Sequence, residues 1–265
     1  SANVPLVLIP TDAAFQRYLN QLGYADLNAL LASEGKAYLQ ALLRYLMVDD
    51  YQSANGYFSS RLPADYDSSL LMSLHLGNTS SNFKANGVSA IGAINGANGT
   101  AYTLDSVLRP LSIAQLAELD GNHSSFATAA KLAQNRPWSV LEQEMPKKTA
   151  FIPNNVGFQK LIDQQNNVND LLGLVTAWGQ DSVEKLVLYH IAEGLYPLAS
   201  AGSQNINTLC LDQMGNAQSV FLNRNSSGNS LVDFNPNSDN ALIISEDIVA
   251  KNGIFNTINE VLLPK

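Results

Sequence analysis

The side chains that could do chemistry in this chain are few and scattered. There are three histidines, His75, His123 and His190, and one cysteine, Cys210. A hydrolase needs a nucleophile beside a base, and no G-x-S-x-G turn is present to present a serine. A single cysteine permits no internal disulfide and no C-x-x-C metal knuckle. Gly87, Gly92, Gly96 and Gly99 have neither dinucleotide-binding nor P-loop spacing, and no Lys-Ser/Thr follows them. They read as a turn region within a sheet. Asp233, Asn235, Asn237 and Asp239 alternate like the opening of a calcium loop. The glycine that such a loop needs is replaced by Ser238, Pro236 stiffens the turn, and the closing position is Ile244 in place of Glu. An Asx-rich hairpin loop is the better reading. Asp65-Tyr66-Asp67 reads as a solvated loop, and His123, in Gly121-Asn122-His123-Ser124, as a loop residue. For His190 the favoured reading is a partly buried imidazole held by a hydrogen bond, because buried polar groups need partners. Asn78, Asn98, Asn122 and Asn225 each open an N-x-S/T sequon, which a chain this rich in Asn, Ser and Thr produces by chance.

Composition narrows the function classes. The 265 residues hold 15 Lys+Arg and 23 Asp+Glu, a net charge of −8. Sparse, unclustered cations make a poor polyanion binder, so nucleic acid is not an expected partner. Charged residues are 14%, against about 25% in an average globular domain. Amides replace them, with 28 Asn. Hydrophobic residues at 46% suffice for one large or two medium cores. The longest apolar stretch, Leu39–Val48, is interrupted by Arg44 and is too short to cross a bilayer. No signal peptide or lipidation motif is visible, and no cofactor is implied.

The elements that would position these residues repeat. Val7-Leu8-Ile9-Pro10-Thr11-Asp12-Ala13-Ala14-Phe15 matches Ala150-Phe151-Ile152-Pro153-Asn154-Asn155-Val156-Gly157-Phe158: an apolar strand, a proline, a helix N-cap and a helix start. Gly99–Pro110 matches Gly253–Pro264, each read as a turn and then a strand stopped by proline. Between them runs an amphipathic helix, on Leu27, Leu30, Leu31, Leu39, Leu42, Leu43 and Leu46 in the first copy. In the second it is carried by Leu171, Leu172, Val175, Val183, Leu186, Val187 and Ile191. A further helix is expected over Ser125–Asn135, and strands over Ile206–Leu211, Ser219–Leu222 and Ala241–Ile244.

With these motifs the chain resembles two tandem fasciclin-like domains. That family has a strand–Pro–Thr–x–x–Ala–Phe opener, a central Tyr-His pair and a closing Val-Leu-x-Pro. The second copy keeps the pair as Tyr189-His190, whereas the first has Tyr45-Leu46. The resemblance implies an α+β fold of two such domains, each a mixed β-sheet wedge with packed helices. Their expected bounds are 1–112, shortened at its N-terminus, and 113–265, complete. The short joint near Leu111–Gln115 predicts that the two touch.

The resemblance also implies a non-enzymatic extracellular or cell-surface module for adhesion or matrix binding. Its partner would be an extracellular protein or polysaccharide. A bacterial envelope lipoprotein is the expected setting, with any membrane anchor upstream of Ser1. A glycan- or small-ligand-binding protein is the alternative. The candidate binding residues are Tyr189, His190, Asp247 and Ile248. The Asp-Ile pair corresponds to one proposed to contact integrins in some animal members. The competing reading, weighed more heavily, packs Ile248 in the core and uses Asp247 to cap a turn.

Overall fold

The computed structural model describes residues 4–51, 56–63, 71–79, 82–97, 99–134, 136–226, 228–236 and 238–265. The chain divides into two compact units, Ser1–Leu111 and Ser112–Lys265. Asp65–Asp67 lie outside the described residues.

The first unit runs β1 (Val4–Pro10), α1 (Asp12–Gln21), α2 (Leu27–Tyr45), β2 (Met47–Tyr51), β3 (Gly56–Pro63), β4 (Leu71–Thr79), β5 (Asn82–Ala85), β6 (Val88–Gly96) and β7 (Gly99–Leu104). Its seven strands lie in the order β2-β1-β7-β6-β5-β4-β3. The β1–β7 pair is parallel, Leu8 facing Tyr102, and the other described pairs are antiparallel.

The second unit begins with α3 (Ile113–Leu119), a 3-10 turn (Gly121–His123), α4 (Ser124–Leu132) and α5 (Arg136–Glu142). The repeated pattern follows: β8 (Lys148–Pro153), α6 (Asn155–Asp163), α7 (Leu171–Trp178), α8 (Gln180–Leu188), β9 (Ile191–Glu193), β10 (Gln204–Leu211), β11 (Ala217–Asn225), β12 (Gly228–Val232), β13 (Ala241–Ala250) and β14 (Gly253–Ile258). These strands close into a barrel, β10-β11-β12-β13-β14-β8-β9. Its first and last strands, β8 and β14, are again the parallel pair. Both units are mixed sheets with helices, the expected α+β class.

The repeat extends to individual bonds. Proline ends the opening strand in both units, and the next side chain caps the helix. Thr11 accepts from Ala14 N–H at 3.1 Å, and Asn154 from Gly157 N–H at 2.8 Å. Asp26 and Asp170 cap the second helices in the same way, at 2.8 and 2.7 Å. The expected single amphipathic helix is broken in both copies. Gly35 and Gly179 sit at φ +82° and +80°, a backbone state that glycine reaches without a Cβ penalty. Leu30, Leu42, Leu174, Val183, Leu186 and Val187 line the core, whereas Leu27, Leu43 and Leu172 face out.

The closing strands end earlier than expected, at Leu104 and Ile258. The residues running on to the prolines lie outside the strands, with bends at 105–106 and 259–260, and they carry buried anchors, Leu108 in one unit and Val261 and Leu262 in the other. The three strands expected between 206 and 244 are present as β10, β11 and part of β13, and the expected 125–135 helix is α4.

Candidate functional site

The Tyr-His pair sits where α8 ends and the chain turns into β9. Tyr189 is the C-cap residue of α8. Its hydroxyl lies 3.0 Å from the Ser219 carbonyl and 2.9 Å from the Asp233 carbonyl, so its one proton is shared between β11 and the loop after β12. Burial raises its pKa, and the neighbouring Asp233 adds to the rise.

His190 has no exposed surface. Its Nε2 lies 3.0 Å from the backbone nitrogen of Leu262, which can only donate. The bonding pattern therefore places the proton on Nδ1, which donates to the Leu186 carbonyl at 2.8 Å. The ring packs edge-on to Phe126 of α4, 5.9 Å between centroids. Burial lowers its pKa from 6.5 to about 4, so the imidazole is neutral near pH 7. Both ring nitrogens are committed to the fold, and no general-base geometry is present at this residue.

Asp233 completes this hub. Its buried carboxylate accepts from the Asn235 N–H at 2.9 Å, from the Ser238 hydroxyl at 2.6 and 2.7 Å, and from the Leu263 N–H at 2.7 Å. The calcium-like spacing is thus an Asx loop in which the Asp233 carboxylate is filled by donors of its own chain; Asn237 lies outside the described residues. His190 and Asp233 hold consecutive amides, those of Leu262 and Leu263. The tyrosine, histidine and aspartate together fasten the closing Val-Leu-x-Pro segment to the barrel.

Asp247 and Ile248 lie elsewhere, on β13. Asp247 has φ +49°, tolerated by aspartate more readily than by bulkier residues. Its two carboxylate oxygens accept from Leu198 N–H at 2.9 Å and Ala199 N–H at 3.1 Å. Its own amide donates to Asn256 Oδ1 at 2.8 Å. Ile248 is buried. The structure brings Tyr189 and His190 together and keeps Asp247-Ile248 apart from them as a turn clamp beside a core residue.

His123 differs from its expected loop placement. It is buried, with Nε2 3.0 Å from Thr257 Oγ1 and Nδ1 3.1 Å from Asp120. Cys210 is also buried, which raises its thiol pKa. Asn252, missed in the sequence, is another buried tie. Its Oδ1 accepts from Ile113 N–H, and its Nδ2 donates to the Leu141 and Gln143 carbonyls. Its only sequence signal is a place in the β13–β14 turn; its partners are more than a hundred residues away.

Comparison with known proteins accounts for both units. The Fasciclin domain family model matches residues 7–110 and again 121–264. Among solved structures, the chain resembles the FAS1 domain pair of the insect cell adhesion molecule fasciclin I. The TM-score is 0.58 at 16% identity, over 98% of this chain and 88% of that one. No curated protein matches it in sequence. Adhesion is the known role of the family, whose domains occur in extracellular and cell-surface proteins. Among the described residues no helix is long and apolar enough to cross a membrane. Repeat, fold and family match converge: the chain belongs to the fasciclin-domain family and carries two such domains in tandem.

Proposed function

We propose that this protein is a non-enzymatic interaction module that binds an extracellular protein or polysaccharide, in adhesion or matrix attachment. The observation that carries the reading is the pair of fasciclin domains spanning the chain. Its chemistry supports it. Of the groups suited to acid–base or nucleophilic work, His123, His190 and Cys210 are buried and His75 is half-buried, and His123 and His190 are bonded within the fold. In this reading Tyr189, His190 and Asp247 act by holding the closing segment and the 198–199 turn in shape, and the partner touches the surfaces those bonds support. The charge-poor, amide-rich composition suits an exported or lipid-anchored protein of the bacterial envelope.

The test is a binding screen of the purified chain against matrix proteins, intact cells and a glycan panel, with Asp247→Asn and His190→Asn in parallel. Saturable binding to a protein, cell surface or polysaccharide is expected, weakened by at least one variant that stays folded by circular dichroism. Binding confined to small sugars would replace this reading with a lectin-like one, and no binding in any arm would overturn it.

A further inference from the structure

Among the described residues Lys148 is the only Lys or Arg that is buried; it is 2% exposed. It opens β8, where its backbone faces Gly253 of β14. Its ammonium donates to the Gln143 carbonyl at 3.0 Å and the Pro146 carbonyl at 2.7 Å. An ammonium carries three N–H donors, so one remains. No described carboxylate forms an ion pair with it, and burial lowers its pKa, partly countered by Glu193. A buried cation held only by neutral carbonyls is costly and gains from an anion brought to it.

The two residues whose carbonyls hold this ammonium also line a groove of about 420 Å³ between α5, α8 and β10. Its other walls include Val140, Leu188, Leu209 and Leu211, the last 48% exposed. The volume lies within the range of small-molecule sites, roughly 300–1,000 Å³. Arg136 and Glu193, of opposite charge, are exposed residues of the same lining, where solvent weakens their fields. The groove therefore combines an apolar wall with one desolvated cation.

We propose that this groove binds an amphipathic carboxylate, an acyl or arylalkyl acid. The carboxylate takes the remaining N–H of Lys148, and the apolar tail lies along Val140, Leu188, Leu209 and Leu211. The site is distinct from the Tyr189–His190 hub and from the adhesion reading, which does not depend on it.

The test titrates the full chain with decanoate and with decanol, below their aggregation limits, and follows backbone amide NMR shifts. Decanoate should perturb the amides of Val140, Lys148, Leu209 and Leu211. It should bind about ten- to a hundredfold more tightly than decanol, the span expected for one hydrogen bond to a charged group. Lys148→Met should abolish that preference and leave decanol binding. Val140→Trp, which fills the groove and leaves Lys148 in place, should block both ligands and serves alone if Lys148→Met does not fold. Equal affinity for the two ligands, shifts confined to other residues, or unchanged decanoate binding in Val140→Trp would each overturn the proposal, as would the absence of binding.

Discussion

The two domains fasten the same segment with different chemistry. In the first, Tyr45 donates to the Ser73 carbonyl at 3.2 Å and accepts from Asn86 Nδ2 at 2.8 Å. Asn86 also reaches the Arg109 carbonyl at 3.3 Å, and its Oδ1 accepts from His75 N–H. One amide side chain, in a two-residue turn, thus links tyrosine, sheet and closing segment. In the second domain that work is divided between His190 and Asp233. The backbone frame is shared. The Leu46 carbonyl accepts from Leu8 N–H at 2.8 Å, as the His190 carbonyl does from Phe151 N–H at 2.8 Å. A neutral, local device and a titratable, dispersed one therefore solve the same packing problem, and only the second carries a dependence on pH.

The contrast breaks most completely through the core. Phe158→Asp or Leu186→Asp buries an unpaired charge in the second domain. Either should cost several kcal/mol, on the order of the 3–5 kcal/mol of a stranded buried charge. The expected result is loss of that domain's melting transition while the first domain's persists; two wild-type transitions would refute the placement of either side chain.

His190→Leu copies the first domain's residue into the second. It strands the Leu262 N–H and the Leu186 carbonyl contact, an expected loss of about 3 kcal/mol. It should also remove an acid sensitivity. The folded pKa of His190, about 4, lies below the ordinary 6.5, so the unfolded state binds the extra proton first. Its contribution is full above pH 6.5 and declines as pH falls toward 4, by about 1.4 kcal/mol per unit. Urea melts of the second domain at a series of pH values should show this slope in the native chain and a flatter one in the variant.

Gly157 sharpens the comparison at smaller scale. A Cβ there would lie 2.7 Å from the Asn259 carbonyl oxygen. The corresponding position in the first domain is Ala14, buried and accommodated. Gly157→Ala should cost about 1–2 kcal/mol by crowding, read as a drop in the second transition; Ala14→Gly should lower only the first. The smallest effect belongs to the matched ion pairs Arg17–Asp105 and Lys160–Glu260. Arg17 and Lys160 are at least half exposed, so Arg17→Ala and Lys160→Ala should each change stability by under about 1 kcal/mol, less still in high salt.

What was legible in the sequence was local. The openers at Pro10 and Pro153 announce themselves because a strand end, a proline and an N-cap need no distant partner. The helix breaks at Gly35 and Gly179 were hidden because the leucine spacing continues across them, and a lone glycine does not reveal its φ. Val107-Leu108 and Val261-Leu262 read as strand because apolar β-branched and leucine side chains anchored in a core have strand-like composition whether or not their backbone joins a ladder. The burial of His123, the tie from Asp233 to the closing segment and the whole role of Lys148 are not legible in the sequence, because the partners lie far along the chain or are backbone groups. His123 bonds Thr257, Asp233 bonds the Leu263 amide, and Lys148 bonds carbonyls that leave no trace in residue type.

The parallel pairing of first and last strands has a consequence for biogenesis. In each domain the opening strand pairs on one side with the strand that follows the helices, β2 or β9, and on the other with the closing strand, Leu8 beside Tyr102 and Phe151 beside Asn256. Such long-range closure makes for slow, late-committing folding. A nascent chain halted at Asn252 should remain protease-sensitive from β8 onward while residues 4–104 are already resistant, and equal protection of both would contradict this order. Translation thus delivers a finished first domain while the barrel of the second still stands open on one side, waiting for its last strand.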